Sequence, residues 1–573
     1  MKQIKIFVLS TIIVQTAQLM ILLSWLSIGK SAIYGTNDDS LISSISSGQI
    51  TGTPDPYLIF IQPLISYPIA WLEVLLTSYS GYSIFLIMVT TFSFTLIFSL
   101  LISSRKLNIV NTTFWFLSNL IFQSWYSLNP TYTGASLFAA GAAAGFILFY
   151  VLSKDEQPKL FIKFILVISS LLTFLCFGIR KEGIYILLIL VIPVILLNIK
   201  NILREQYNLF YFFLPLISLL VINSAISQSM YKNTEWEEFT NMNNLRHQIQ
   251  LRSPEVEIVK KLDQLGWTKE TYVMFTRFSL LDNNQMNSEK MKTILTLTNN
   301  SNGPRSLLLT NPETIFKVVK EAFNPWTWII KYIALILLFA GLLNYFHSNL
   351  KRFLIQNFAL FSSSIILIVV LASGYQIPER ISLNLLAAIS LVLLTTTLQT
   401  HNIKTRLPRI INIILIIAMI FLTRNTYNRF TVELNAREGL YKTRQAYAIQ
   451  QANSLTEQGN SKIISNASGL KSHWRYPYLS WTTFDSRNKT IILGWQNLSP
   501  LSEIQFNEQG LKIEDFPEKF IDSNILWVDS LDSINETTKF LNQYTTSKIQ
   551  YIDMGPVGND EYHYFQFVTS ENL

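Results

Sequence analysis

Eleven apolar segments that could each serve as a membrane span dominate this sequence. The first runs from Ile4 to Ile28, and a helix of about 20 apolar residues crosses the hydrocarbon core of a bilayer. Only 14% of the 573 residues are charged, against about 25% in an average soluble chain. The pattern predicts an α-helical polytopic membrane protein. The other ten segments lie at 82–103, 108–126, 131–152, 161–179, 183–199, 209–228, 326–346, 354–374, 381–399 and 410–423.

A further segment, 57–77, decides the predicted topology. It contains Pro63, Pro68 and Glu73, which weaken it as a span. If 57–77 does not cross and the N-terminus is inside, most loop cations fall on the cytoplasmic side, as the positive-inside rule requires. We therefore predict eleven spans, the C-terminus outside, and 57–77 as a re-entrant or interfacial helix on the outer surface. The cations placed inside are Arg105, Lys106, Lys154, Lys159, Lys163, Lys200, Arg204, Lys351, Arg352, Lys404, Arg406 and Arg409.

The N-terminal apolar run follows Lys2 and Lys5, as in a signal peptide. It is longer than the 7–15 residues of a signal-peptide core, and no small-residue cleavage site follows it. We expect it to be retained as the first helix.

Two polar regions complete the predicted domain organisation. Residues 1–429 form the transmembrane domain, with outer loops 30–81 and 229–325, the second containing helical stretches such as Pro254 to Leu265. Residues 430–573 form an extracytoplasmic α/β domain, in which a helical pattern from Val432 to Leu455 is followed by short β-rich runs. These runs begin at Lys462, Thr490, Ile525, Ile549 and Tyr564.

Composition and motifs exclude several classes of function. The net charge of +8 is spread over small groups between apolar segments, so no nucleic-acid surface is expected. The single cysteine, Cys176, permits no intrachain disulfide. The five histidines have no zinc-site spacing, and neither a Walker loop nor a Rossmann glycine pattern occurs. No inverted repeat typical of many transporters is visible.

The acidic pair Asp38 and Asp39 follows the first span. On an extended loop, adjacent carboxylates point in different directions, so one can face a cleft. A carboxylate there can act as a general base toward an acceptor hydroxyl or amine, or hold a divalent cation that neutralises a phosphate leaving group. The alternative is a solvated loop or an N-cap for a helix beginning near Ser40. Asp55 lies shortly after, in the segment Gly52-Thr53-Pro54-Asp55-Pro56.

Two charged clusters lie on the same predicted outer side. Arg180, Lys181 and Glu182 separate two apolar segments; the cations can bind a lipid-linked phosphate, and Glu182 can orient Arg180 or bind metal. Glu379 and Arg380 precede a later span, where Arg380 can reach a phosphate or simply anchor the helix. The alternative for the first cluster is a hairpin whose cations snorkel to the surface.

The large loop contains Asn241, Asn244, Arg246 and His247. His247 can either contact an acceptor or lie at the protein surface, and we favour the surface role.

A first span, an outer loop with an acidic pair, a Gly-Pro-Asp segment and an apolar surface helix together resemble the GT-C superfamily of membrane glycosyltransferases. The resemblance implies a polyprenyl-phosphate sugar donor and a catalytic carboxylate in the first outer loop, the position of Asp38 or Asp39. It also implies basic residues at the lipid phosphate, for which Arg180 and Arg380 are candidates. The WWDYG signature of oligosaccharyltransferases is missing, so the sugar and the acceptor stay open.

The sequence thus favours an inverting glycosyltransferase in the bacterial cytoplasmic membrane, acting on its outer face. The expected partners are the membrane, a lipid-linked sugar donor and a glycan, lipid or protein acceptor. Arg180, Lys181, Glu182, Arg380, Asp55 and Glu379 are the predicted substrate-binding residues, no metal ligands are assigned, and a divalent cation stays open. The alternatives are a polysaccharide or lipid flippase or transporter, which should carry charge in mid-span, and a glycan polymerase of the O-antigen type.

Overall fold

The structure is a computed structural model. It describes residues 1–28, 34, 37–104, 109–153, 157–203, 206–232, 234–252, 262, 266–277, 286–299, 462–466, 490–512, 517–522, 524–557 and 562–569, together with 384, 385, 387–389, 391, 392, 395, 421, 424, 425, 428, 432, 454 and 455. Statements about structure refer to these residues.

The described elements from residue 2 to residue 231 are all helices. Five of these helices, α1, α4, α6, α7 and α10, are long and apolar enough to cross a membrane, and they coincide with five predicted spans. These long apolar helices indicate a membrane protein. The helices are α1 (Lys2–Ile28), α2 (Asn37–Ser46), α3 (Pro63–Leu75), α4 (Gly81–Ser103), α5 (Ile109–Leu128), α6 (Tyr132–Ser153), α7 (Lys159–Ile179), α8 (Gly183–Leu197), α9 (Ile199–Leu203) and α10 (Gln206–Tyr231).

The rest of the eleven-span prediction is not established. Helix α8 is apolar but has only 15 residues. The apolar segments 326–346, 354–374 and 410–423 lie outside the described residues or touch them at one position, and 381–399 is described only in part.

Polar side chains join the first two long helices within their apolar surfaces. Gln15 on α1 donates to Thr91 on α4 (2.8 Å) and accepts from Thr95 (2.8 Å), and Gln18 also donates to Thr95 (2.9 Å). Such interhelical hydrogen bonds hold membrane helices together where lipid gives no hydrophobic driving force.

Helix α6 packs through glycines. A Cβ atom on Gly141 would lie 2.6 Å from the Cα of Ala388, and one on Gly145 would lie 2.9 Å from the Thr395 side chain. Small residues permit this close approach of backbones, so α6 occupies the centre of the bundle.

Helix α3 covers part of the segment 57–77. Pro63 occupies its first turn, where the missing N–H costs nothing. Its 13 residues extend about 20 Å, less than the ~30 Å hydrocarbon core. Tyr67, Trp71, Val74 and Leu75 are exposed, while Glu73 is buried against the bundle.

Three described helices lie in the large polar loop: α11 (Trp236–Arg252), α12 (Lys269–Thr276) and α13 (Ser288–Asn299). Helix α12 packs against the C-terminal region, where Arg277, just after it, donates to Ser533 (2.8 Å). The helical character predicted for this loop is thus found. The stretch Pro254 to Leu265 lies almost entirely outside the described residues.

The C-terminal region is a five-stranded mixed sheet with helices, as the β-rich runs predict. The strand order is β2-β1-β3-β5-β4; β1 pairs in parallel with β2 and β3, and β5 pairs antiparallel with β3 and β4. Its elements are β1 (Lys462–Asn466), β2 (Thr490–Leu493), α14 (Pro500–Glu508), β3 (Ile525–Ser530), α15 (Leu531–Leu541), β4 (Ile549–Pro556) and β5 (Tyr562–Thr569). The helical pattern from Val432 to Leu455 lies outside the described residues except at three positions.

The sheet and the helical bundle share one apolar core. Ile492, Trp495, Leu501 and Phe540 of the C-terminal region belong to the same buried cluster as the bundle residues, while a second cluster fills the sheet's own interior. The segment between α1 and α4 therefore packs against both the bundle and the C-terminal region.

Candidate functional site

Asp38 and Asp39 lie in the first turn of α2. The expectation of an extended loop is wrong, because the helix begins at Asn37 rather than near Ser40. Carboxylates in a first turn stabilise a helix through its dipole. Consecutive residues of a helix still point in different directions, so the two carboxylates have different surroundings.

Asp39 is fully buried, with 0% of its surface exposed. Its Oδ1 accepts hydrogen bonds from the hydroxyl of Tyr82 on α4 (2.7 Å) and from the backbone N–H of Tyr132 at the start of α6 (2.7 Å). Asp39 therefore connects α2 to two bundle helices, and the geometry makes it a positioning residue.

Asp38 is half-buried and interacts electrostatically with two arginines from distant parts of the chain, Arg180 and Arg246. Because α2 is fixed through Asp39, the position of Asp38 relative to these cations is also fixed. Asp38 therefore lies within electrostatic range of a guanidinium group that follows α7 and of one on α11.

Arg180 directly follows α7. Its guanidinium donates to the hydroxyl of Thr133 and to Glu182 (3.2 Å), and lies 5.2 Å from the ring centroid of Tyr132. Burial disfavours the cation, but Tyr132, Glu182 and Asp38 more than offset this, so the pKa of Arg180 is raised. Tyr132 thus links Arg180 to Asp39.

The neighbours of Arg180 are less enclosed. Lys181 is exposed, and the side chain of Glu182 is 62% exposed against 23% for Arg180. Glu182 forms an ion pair with Arg180, as the orienting role predicts.

Arg246 is the residue that sequence reasoning missed. It is 3% exposed and donates to the backbone carbonyl of Trp495 (3.3 Å) and to the side chain of Asn243. Burial lowers its pKa to about 9, against the opposing influence of Asp38, which leaves it cationic at neutral pH. A signal was available: Arg246 shares a buried helical face with Met242 and Ile249, and an arginine on an apolar face requires a partner.

Aromatic rings connect the two arginines. Tyr132 stacks on Phe60 (6.2 Å between centroids), and Phe60 meets Trp495 edge-on (4.6 Å). This row, Tyr132, Phe60 and Trp495, extends from Arg180 to Arg246. It surrounds the charged groups with apolar surface, which strengthens electrostatic interactions among them.

Asp55 interacts with a different group of residues. It accepts a hydrogen bond from the backbone N–H of Tyr57 (2.8 Å), and burial raises its pKa. Tyr57 stacks on Trp236 at 4.5 Å. Among the described interactions, Asp55 is joined to this aromatic cluster rather than to the arginines, and its predicted role in substrate binding stays a prediction.

Glu379 and Arg380 lie outside the described residues, and the substrate-binding roles predicted for them stay predictions. Within the described ranges, no group of three or more His, Cys, Asp or Glu side chains could hold a metal ion.

Chemically, the residues around Asp38 combine a carboxylate that can accept a proton with two guanidinium groups that can bind an anion.

No family model, no curated protein and no solved structure matches this chain.

Proposed function

We propose that the chain is an inverting membrane glycosyltransferase of the GT-C type. The observation that carries the proposal is the grouping of Arg180 and Arg246 along one row of aromatic rings, Tyr132, Phe60 and Trp495, with Asp38 within electrostatic range of both. Transfer from a polyprenyl-phosphate sugar requires a base for the acceptor and cations for the departing phosphate, which Asp38 and the two arginines supply.

In the proposed reaction, Asp38 accepts the proton of the acceptor hydroxyl or amine as that atom attacks the anomeric carbon. The bond from this carbon to the phosphate oxygen breaks, and the polyprenyl phosphate departs with its electron pair. Arg180 and Arg246 bind the phosphate, because fixed guanidinium groups in a water-poor site stabilise developing negative charge. Asp39 holds α2 and Tyr132 in place.

The distribution of charge supports an enzyme over a transporter. The five candidate spans carry cations only near their first residues, at Lys2 and Lys5 of α1 and at Lys159 and Lys163 of α7. Charged groups in a transport pathway normally lie within the membrane. Asp38, Arg180 and Arg246 all lie outside these spans.

The proposal includes the topology: eleven spans in the bacterial cytoplasmic membrane, N-terminus inside, with α3 as an interfacial helix and the C-terminal region outside. The shortness of α3 and its exposed aromatic residues support this. Cysteines introduced at Arg105 and Asn488 provide the test. An impermeant thiol reagent should label only the second in intact cells, and the opposite pattern would reject the topology.

The activity is tested by incubating purified protein with polyprenyl-phosphate sugars and measuring release of polyprenyl phosphate. Arg246→Ala should slow release at least tenfold, since a hydrogen-bonded charge is worth about 1.5–3 kcal/mol. Lys269→Ala, which removes an exposed cation on α12, should leave the rate unchanged. No release by the wild-type protein across a panel of sugars and acceptors, or equal rates for Arg246→Ala and wild type, would reject the proposed function.

A further inference from the structure

The loop 494–499, which joins β2 to α14, leaves the sheet at a favourable place for binding. Strands β1, β2 and β3 are parallel, so their carboxyl ends share one edge. β1 has β2 on one side and β3 on the other, and the chain crosses from one side to the other after β2. Open α/β sheets bind ligands at the carboxyl ends of their strands, in the crevice where the strand order reverses. Here that crevice lies between β1 and β3, and the loop 494–499 follows the neighbouring strand β2 at the same end of the sheet.

This edge of the sheet faces the candidate site. Trp495, the second residue after β2, is only 4% exposed. Its ring packs against Phe60 of the first outer loop, and its carbonyl accepts a hydrogen bond from Arg246. The carboxyl end of β2 therefore lies toward Phe60 and Arg246, on the side of the candidate site.

The indole N–H of Trp495 is buried without a hydrogen-bond partner among the residues that the structure describes. Buried indoles usually find an acceptor, as the other buried tryptophan of the sheet shows: Trp527 donates to the carbonyl of Phe520 (3.1 Å). An unpaired buried donor is costly. A donor held beside Arg246 is suited to an anionic acceptor.

The loop also has an unusual backbone. Leu498 has a φ of 67°, in the left-handed region that side chains other than glycine rarely adopt. The conformation is held by internal bonds: the Gly494 N–H donates to Asn497 (3.1 Å), and Gln496 donates to the Ile492 carbonyl (2.6 Å). Strain of this kind is concentrated where residues bind ligands.

We propose that the C-terminal region contributes directly to the donor site, with Trp495 donating its indole N–H to the phosphate of the lipid-linked donor next to Arg246. Phe60 packs against the indole ring, and Arg246 donates to the backbone carbonyl of the same residue. This inference rests on the proposed function, because it takes the anion to be the donor's phosphate. The inference makes the C-terminal region part of the donor-binding site.

The test is binding of a polyprenyl phosphate to the purified full-length protein in detergent. Trp495→Phe keeps a ring against Phe60 and removes the N–H, so affinity should fall about tenfold, as for a hydrogen bond to a charged group, with the unfolding temperature nearly unchanged. Trp527→Phe is the matched control. It removes a buried indole N–H within the sheet and should lower the unfolding temperature without changing affinity.

The outcomes separate the inference from the proposed function. If wild type binds, Arg180→Ala abolishes binding and Trp495→Phe binds normally, the role of Trp495 is rejected and the donor site stands. If wild type does not bind, both are rejected. If the Trp495→Phe variant does not fold, hydrogen exchange on the wild-type protein gives a second test. Adding the lipid should slow amide exchange in 494–499 and leave exchange in β3 unchanged. Unchanged exchange in 494–499 would overturn the inference.

Discussion

The two ends of helix α2 adjoin buried carboxylates in opposite surroundings. At its N-terminus, Asp39 accepts from Tyr82 and Tyr132, and Asp38 next to it interacts with two arginines. At its C-terminus, Glu73 of α3 accepts from the Ser46 hydroxyl (3.1 Å) and the Tyr82 N–H (3.0 Å). Tyr82 thus contacts both carboxylates, one through its hydroxyl and one through its backbone.

What differs is the presence of cations. Burial raises the pKa of Glu73, and the groups that oppose this rise are hydrogen-bond donors rather than charges. A carboxyl held toward its neutral form by hydrogen bonds joins helices together, but without neighbouring cations it offers no place for an anion to bind. Glu73 therefore joins helices at the C-terminal end of α2, whereas we propose that Asp38 takes part in catalysis at the N-terminal end.

The largest effect should separate Asp38 from Asp39. Asp38→Asn removes the base and should lower the rate of donor consumption by about 10²–10⁴-fold. Asp39→Asn keeps an oxygen that can accept from Tyr82 and Tyr132, so its rate should fall far less. Steady-state assays on both purified variants provide the comparison. A greater loss of rate in Asp39→Asn than in Asp38→Asn would mean that Asp39 is the base and Asp38 the positioning residue.

A smaller effect concerns stability at the Asp39 end. Asp39→Ala leaves the buried Tyr82 hydroxyl and the Tyr132 N–H without their acceptor, at about 1–3 kcal/mol for each group. The unfolding temperature in detergent should fall clearly, with Asp39→Asn as the isosteric control. Equal unfolding temperatures for the Ala and Asn variants would show that Asp39 does not hold α2 in place.

The smallest effect concerns the Glu73 end and pH. The unfolded carboxyl ionises near its ordinary pKa of 4.5, whereas the folded one ionises at higher pH. Between these values the folded state binds more protons, so stability falls as pH rises and levels off above the folded pKa. Glu73→Gln should cost under about 1 kcal/mol at low pH and flatten this dependence. Thermal unfolding measured from pH 4 to 8, with exposed Glu503→Gln as control, tests it; an unchanged pH slope in Glu73→Gln would contradict the assignment.

Local patterns were sufficient for the elements of the fold. Long apolar runs predicted five helices that the structure contains, and β-rich runs predicted all five strands, because the preferences that define these elements lie within one segment. The start of α2 was mispredicted, because Asn37 and its two acidic neighbours favour either a turn or a first helical turn, and contacts with α4 and α6 decide between them.

The candidate site depended on contacts that no local pattern reveals. The prediction of Arg180 near the acidic pair is consistent with the interaction between Arg180 and Asp38, but it relied on topology alone. Arg246 was detectable from the apolar face of α11. Trp495 was not, because its place beside Phe60 depends on how the sheet docks against the bundle.

The glycine face of α6 has a consequence for biosynthesis. Gly141 and Gly145 meet Ala388 and Thr395, which the ribosome makes about 250 residues later, or roughly 12–50 s at 5–20 residues per second. During that interval α6 has been made, but the residues that pack on its glycines have not. This part of the bundle can therefore close only after residues 388–395 have been made, and until then the glycine face of α6 must stay free of other partners.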